Sequence, residues 1–405
     1  MFRLELLGQS LLQYFETLLF PPGPYRAFVE QVRENQTLES FDLFILIPYF
    51  TILGILAIYG LHRSHLVFLY YKNKGKKPRP QKVLSSLPPI TVQLPIYNEM
   101  FVVERLIESV VKIDYPRHLL EIQVLDDSTD DTKFLARRCV DRFQKTGFNI
   151  NYFHRPQRSG YKAGALAAGL RVAKGEFVAI FDADFIPNPS FLNETIHYFS
   201  NPKVGMVQAR WGHINQDYNL LTQVEAIILD GHFVMEHGGR HRSGRFFNFN
   251  GTAGVWRLEA IQSAGGWQHD TLTEDTDLSY RAQLLGWQFI YLPDVVCSAE
   301  LPVEMNAFKN QQFRWAKGLV QTGLKLLPQI VKSNLPLKIK TEAAFHLSAN
   351  CSYPLMVMFS LIFLPAMIVR AVPARFYLDW FQFILIDFPL LMAATMSVSS
   401  FYALS

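Results

Sequence analysis

"EFVAIFDADF", residues 176–185, decides the fold. An apolar run over 177–181 breaks into Asp182-Ala183-Asp184, the pattern of a buried strand that ends in acids. In an extended segment, residues two apart point the same way, so Asp182 and Asp184 are expected to converge on one hard cation. Oxygen ligands suit Mg2+ or Mn2+, and such ions share their coordination with substrate phosphates. A lone Asp-x-Asp is common by chance. This one gains weight because its surroundings agree with it.

Upstream, "ITVQLPIYNE" (90–99) and "EIQVLDDSTD" (121–130) are two more apolar runs with polar ends, and "INYFHR" (150–155) is a third. Between them lie helical patterns: Val102, Val103, Leu106, Ile107, Val110 and Val111; then about 131–145; then "KAGALAAGLRVA" (162–173). This alternation predicts an α/β domain built on a parallel sheet with right-handed crossovers. Ligands of such sheets bind beyond the carboxyl ends of the strands. Those ends carry Pro95, Tyr97, Asn98 and Glu99; Asp126 and Asp127; and Asp182 and Asp184.

Each cluster also has a plainer structural reading. Ser128, Thr129 or Asp130 would serve as a helix N-cap, but capping does not require the paired acids Asp126-Asp127. Arg155, Arg158 and Lys162 precede a small-residue helix and would make an ordinary basic loop. Beside two acid clusters, a diphosphate site is the better reading, since a helix start favours anions. In "GWQHDTLTEDTDLSYRAQLLGW" (266–287), Thr273 is expected to cap a helix. Of the first-turn acids Glu274 and Asp275, one is then free to act as a general base. "FNFNGTAGVWR" (247–257), with Gly251 and Thr252, has the small and polar composition of a loop and strand under a sugar.

The chain has 405 residues, of which 49% are hydrophobic and only 18% charged. Its net charge of +4 gives no reason to expect nucleic acid as a partner. Cys139, Cys297 and Cys351 lie far apart, which argues against a disulfide scaffold or zinc site and for small buried residues. No signal peptide with a small-residue cleavage site is expected at the start. The apolar excess gathers in 41–60, 353–369 and 380–404, the last containing Asp387; these are expected to cross a bilayer core of roughly 30 Å. Lys72, Lys74, Lys76, Lys77, Arg79 and Lys82 follow the first stretch and place the middle of the chain on the cytoplasmic side. The expected organisation is an amphipathic or extracytoplasmic segment over 1–40, a transmembrane helix over 41–71, a catalytic domain over 85–300, interfacial helices over 301–350, and transmembrane helices over 351–405. The last apolar stretch has barely ended when the chain stops, which fits a shortened form of a protein with more spans.

Asp126-Asp127, Asp182-x-Asp184, Thr273-Glu274-Asp275 and Gln311-x-x-Arg314-Trp315 together resemble the D, DxD, TED, QxxRW signature. That signature belongs to the membrane-embedded, processive family-two glycosyltransferases, the cellulose, hyaluronan and chitin synthases. "FNGTAGVWR" and "LPVEMNAFKNQQFRWAKG" are most similar to the cellulose-synthase-like mannan and xyloglucan-backbone synthases and their bacterial relatives. The match covers roughly 88–335, and a C-terminal cyclic-di-GMP-binding domain is not recognisable.

The resemblance implies a GT-A (Rossmann-like) domain that moves a hexose, with inversion, from a nucleotide sugar to a growing β-linked polysaccharide and helps extrude it. UDP-glucose is the first expectation for the donor and GDP-mannose the alternative. The base would lie near Asp126 and Asp127, with Pro95, Tyr97 and Glu99 beside them and Arg158, Lys162 and Asp182 on the diphosphate side. Asp184, helped by Asp182, would hold the metal; Asp275, beside Glu274, would be the base. Arg314 would steady the leaving diphosphate. Trp315 would offer a flat face to the acceptor ring, with Gly251 and Thr252 near it, and Gln311 would bind the sugar or orient these groups. Two other readings are a non-processive glycolipid glycosyltransferase and, in another class, a non-catalytic nucleotide-sugar-sensing scaffold of an export complex.

Overall fold

The computed structural model describes residues 40–371 and 383–404. The segment read as 1–40 therefore lies almost wholly outside the described residues, as does the start of the stretch read as 380–404. The chain divides into two compact units: Met1–Leu61 with Cys351–Val398, and His62–Asn350 with Ser399–Ser405. The segments read as catalytic domain and interfacial helices, 85–300 and 301–350, fall in the second.

That unit is built on an eight-stranded sheet with the order β3-β2-β1-β4-β7-β6-β8-β5. The strands are β1 (Ile90–Ile96), β2 (Leu120–Asp126), β3 (Ile150–His154), β4 (Phe177–Ile180), β5 (Phe185–Ile186), β6 (Val204–His213), β7 (Gly254–Arg257) and β8 (Gln288–Ala299). The first half is parallel as expected: β1 pairs with β2 and β4, and β2 with β3. The whole sheet is mixed, because β7 runs antiparallel to both β4 and β6, and β5 antiparallel to β8. The expectation of an all-parallel sheet is corrected there.

Alternation along the strands makes two cores. Phe177 and Ala179 face one, with Val92 and Leu94 of β1 and the helices Val103–Val110 and Thr132–Lys145. Val178 and Ile180 face the other, against the helices Tyr161–Leu170, Leu258–Ser263 and Glu274–Leu284. Each large side chain so buried is worth about 1.5–3 kcal/mol.

The second face of β1 and β2 is polar. Thr91 Oγ1 donates to Glu121 Oε2 at 2.7 Å and Gln93 Nε2 to Gln123 Oε1 at 3.0 Å. The small-residue helix Tyr161–Leu170 lies on this ladder. A Cβ at Gly169 would come within 2.5 Å of Gln93 Nε2, so the composition of "KAGALAAGL" is a packing requirement.

Three helices are long and apolar enough to cross a membrane: Phe41–Asn73, Leu337–Val369 and Leu385–Leu404. They cover the three stretches read from sequence, and the first runs past the expected end at 71. Within the first unit the buried Asp387 accepts a 2.7 Å hydrogen bond from Tyr49, which offsets the cost of an acid in an apolar span. Cys139 and Cys297 are buried as expected, whereas Cys351 is exposed.

Candidate active site

The register of the parallel strands brings their polar ends level. Ile96 pairs with Asp126 and Asp126 with His154, so Tyr97, Asp127 and Arg155 emerge side by side. Arg155 grips Asp127 with two parallel bonds, Nε to Oδ1 at 2.7 Å and Nη2 to Oδ2 at 2.5 Å. Arg155 is thereby taken from the phosphate role its loop suggested.

Asp126 is fully buried. It accepts from Tyr152 Oη at 2.6 Å and from the Ser128 amide at 2.8 Å. With both oxygens so engaged, the carboxylate shapes the loop at the end of β2.

Ser128 and Thr129 do not cap the following helix. The Asn98 amide donates to Ser128 Oγ at 2.8 Å and the Thr129 amide to Asn98 Oδ1 at 2.9 Å, tying the β1 and β2 loops together. Asn98 has φ 56°, a left-handed conformation that Asn tolerates better than most side chains. Above this junction the Arg158 guanidinium lies 3.3 Å from the centroid of the Tyr97 ring, a stacked cation at the mouth of the site. Pro95 is half-buried in β1 and Glu99 is exposed.

Asp182-Ala183-Asp184 is not extended. The chain turns there, with the Phe185 amide donating to the Asp182 carbonyl at 3.1 Å. The two-apart rule for strands does not apply, and the turn itself brings the carboxylates together. Burial, then the charge of Asp182, pushes Asp184 up to about 7.

Lys162 Nζ lies 2.6 Å from Asp182 Oδ1 and donates to the Gly251 carbonyl at 3.0 Å. It also donates to Asp182 Oδ2 at 2.7 Å, so three acceptor atoms surround the ammonium. Burial pulls the ammonium pKa down, but Asp182 and Glu274 outweigh this and hold it above the usual lysine value.

Gly251 has φ +83°, and a Cβ there would sit 3.1 Å from Asp275 Oδ2 and 3.3 Å from Lys162 Nζ. Its neighbour Thr252 accepts from the Asp182 amide through Oγ1 at 2.9 Å. The Gly251-Thr252 loop thus knits the Asp-x-Asp turn to the Thr-Glu-Asp helix.

Thr273 sits at the head of the helix Glu274–Leu284 without a side-chain capping bond. Its hydroxyl instead pairs with Thr322 Oγ1 at 3.1 Å. Burial, followed by the Glu274 charge, pushes Asp275 up to about 7; burial also raises Glu274, with Lys162 opposing. An acid held near 7 is suited to accepting a proton at neutral pH.

Gln311, Arg314 and Trp315 lie on one long helix, Met305–Lys332. It is pinned to the Thr-Glu-Asp segment at several points. A Cβ on Gly318 would meet Thr273 Cγ2 at 2.6 Å, the Leu272 amide donates to Gln321 Oε1 at 3.0 Å, and Lys325 Nζ lies 2.8 Å from the buried Asp277. Arg314 is exposed, and its charge lowers the pKa of Glu274. Trp315 packs against Ala226, Leu229 and Leu301.

Residues not anticipated from sequence also shape the site. Gln311 faces Glu225, which is fully buried and makes no well-aligned hydrogen bond among the described residues. Burial pushes Glu225 up to about 7. A lone Glu among apolar positions in "TQVEAIILD" was the available signal. Asn250 Nδ2 meets His232 Nε2 at 2.8 Å, and His232 Nδ1 lies 3.0 Å from Glu236, so the glycine loop is also braced from behind.

Among the described residues no group of three or more His, Cys, Asp or Glu side chains gathers to hold a metal. Asp182 and Asp184 are two hard donors. Ions such as Mg2+ bind through one or two carboxylates and complete their shell with substrate phosphates. Burial first, and then the charge of Asp182, disfavours an ionised Asp184, and a cation would relieve both, so these residues fit such an ion.

A mixed sheet with acids at adjoining strand ends, joined to helices long enough to span a membrane, defines a GT-A-type domain. Residues 88–318 match the model of the family "Glycosyltransferase like family 2", and the chain belongs to it. The chain is 40% identical over 286 residues to glucomannan 4-beta-mannosyltransferase 7 of Arabidopsis thaliana, covering 69% of this chain and 51% of that protein. It is 44% identical over 259 residues to glucomannan 4-beta-mannosyltransferase 1 of Oryza sativa subsp. japonica, covering 63% and 50%. The chain thus spans about half the length of the curated relatives it matches. The fold is similar to that of the mannosyltransferase PcManGT from Pyrobaculum calidifontis, solved with GDP-Man and Mn2+. There the TM-score is 0.59 at 24% identity, with 85% of this chain and 99% of that one covered.

Proposed function

We propose that the chain transfers mannose from GDP-mannose to the end of a growing β-1,4-linked mannan. The observation that carries this reading is the 40% identity, over 286 residues, to a protein named as a glucomannan 4-beta-mannosyltransferase. It displaces UDP-glucose as the first expectation in favour of the GDP-mannose alternative.

In this reading the donor base lies over the β1 and β2 loops, near Tyr97 and Asp127, and Arg158 meets the diphosphate from its stacked position. Asp184 and Asp182 hold Mg2+ or Mn2+, whose chemistry is Lewis-acid stabilisation of the leaving diphosphate. Lys162 and Arg314 add positive charge. Asp275 takes the proton of an acceptor hydroxyl as that oxygen bonds to the anomeric carbon. The bond from that carbon to the diphosphate breaks on the opposite face, and its electron pair leaves with GDP. Trp315 supports the acceptor ring, with Gly251 and Thr252 beside it, and Gln311 orients the helix through Glu225. The catalytic domain over 85–300 and the interfacial helices over 301–350 lie on the cytoplasmic side of a multi-pass membrane protein, with segments 41–71 and 351–405 in the bilayer. The lysine cluster after the first span supports that orientation.

The test is a radiolabel assay. The purified chain is incubated with GDP-mannose or with UDP-glucose in Mg2+ or Mn2+, and the product is digested with β-1,4-mannanase. Incorporation from GDP-mannose into mannanase-sensitive polymer is expected. Incorporation from UDP-glucose alone overturns the reading.

A further inference from the structure

A cavity of about 460 Å³, which shares no lining residue with the acid clusters, is lined by Tyr70, Lys74, Lys77, Arg210, Arg242 and Asp294 among others. Four cations face one carboxylate, and that carboxylate already meets Lys77 at 3.2 Å across exposed surface. The two arginines are differently placed. Arg210 Nε and Arg242 Nη1 are buried and have no hydrogen-bond partner among the described residues. Arg242 rests over the Tyr70 ring at 5.2 Å, which orients the guanidinium without using its donors. Both arginines line the cavity and leave donors without a hydrogen-bond partner among the described residues, so the site favours an acceptor.

We infer that this cavity binds a phosphate group, with the guanidinium donors of Arg210 and Arg242 as its fixed ligands and Lys74 and Lys77 as mobile counter-charges. Guanidinium forks match phosphate oxygens two at a time, whereas lysines add charge without direction. The volume holds a phosphate with a small polar substituent. Tyr70 and Lys74 stand at the end of a helix long enough to cross a membrane, Phe41–Asn73, and Phe68 and Tyr71 beside them are exposed aromatics. A phospholipid headgroup and a soluble phosphate both supply the required chemistry. The site is separate from the donor site, and the inference does not depend on which sugar is transferred.

The experiment uses the full chain in neutral detergent micelles. Fluorescent phosphatidic acid and the matching phosphatidylcholine are titrated into wild type, R210Q/R242Q and, as a control for general attraction, R79Q/K82Q, whose positions are absent from the lining. Inorganic phosphate and inositol hexakisphosphate are added as competitors. Saturable binding of phosphatidic acid, weakened at least about tenfold in R210Q/R242Q and retained in the control, is expected for a lipid phosphate. Competition by the soluble anions, lost in the same variant, assigns the site to a soluble phosphate and supports the cavity equally. Nucleotide binding at the donor site reports that the variant is folded. Equal binding by all three proteins, or no saturable binding of either probe by wild type, overturns the inference.

Discussion

Lys162 and Asp182 meet at 2.6 Å, so the first acid of the Asp-x-Asp turn enters the site already paired. The ammonium also lowers the pKa of Asp184 and of Asp275. Removing it with Lys162→Gln should therefore raise both acids further. The acid limb of kcat/KM against pH should move to higher pH, with turnover partly recovered in alkaline buffer. A uniform loss at every pH would assign Lys162 to the diphosphate alone.

Asp184 and Asp275 are held near 7, above the unfolded carboxylate range, so at these two positions the native state binds more protons than the unfolded state between about pH 4 and about pH 7. Their contribution to stability should fall as pH rises through that window, whereas His237 and His241, pulled by burial down to about 3 and about 4, contribute in the opposite direction. The difference in melting temperature between wild type and D184N/D275N in chelator isolates the two acids. Wild type should lose ground to the variant as pH rises, and Mn2+ should oppose that loss. A difference that stays constant through the window would contradict the assignment.

Asp275→Asn keeps the shape of the side chain but cannot take a proton. Transfer should drop by on the order of 10²–10⁴-fold while donor binding, measured by calorimetry, stays within about twofold. Loss of donor affinity with normal turnover per bound donor would place the base elsewhere.

Gly251→Ala tests the loop that joins the two acid clusters. Left-handed backbone costs a non-glycine residue about 1–2 kcal/mol, and the new methyl would press on Asp275 and Lys162. A modest loss of melting temperature with a much larger loss of turnover is expected. A fall in both in proportion would make the loop a folding element only.

Arg314→Ala and Trp315→Ala should fail differently. Arg314 faces Glu274 and, in the proposed mechanism, the diphosphate, so its loss should slow even hydrolysis of the donor by water. Trp315 should leave hydrolysis intact and shorten the polymer, a stacked ring being worth about 0.5–1.5 kcal/mol. Parallel loss of both reactions in both variants would show that the two side chains act as one structural unit.

Sequence periodicity carries the parallel half of the sheet because β1 and β2 alternate apolar and polar residues, β4 is a continuous apolar run, and acids follow close on all three. It does not carry β7, whose four residues, Gly254–Arg257, are too few to show a period. Nor does it reveal that the chain turns at Ala183-Asp184, since the same letters suit a strand. The acids themselves are visible as types, but their partners depend on register. Arg155 finds Asp127 only because β2 and β3 pair with Asp126 opposite His154. Thr273 looks like a cap in isolation and becomes a contact only when the helix bearing Thr322 lies against it.

That last contact has a mechanical meaning. Gly318 and Thr322 on Thr273, and Lys325 on Asp277, weld the helix of Arg314 and Trp315 to the helix that begins with Glu274 and Asp275. The two therefore travel as one rigid jaw, and the distance from Asp275 to Trp315 is fixed by the protein. In the proposed mechanism, a polymer that advances by one sugar slides across this jaw. For chimeras that aim to change acceptor preference, 268–325 is the smallest piece that can be exchanged whole, because a graft ending between Asp277 and Gly318 would leave each half of the weld without its mate.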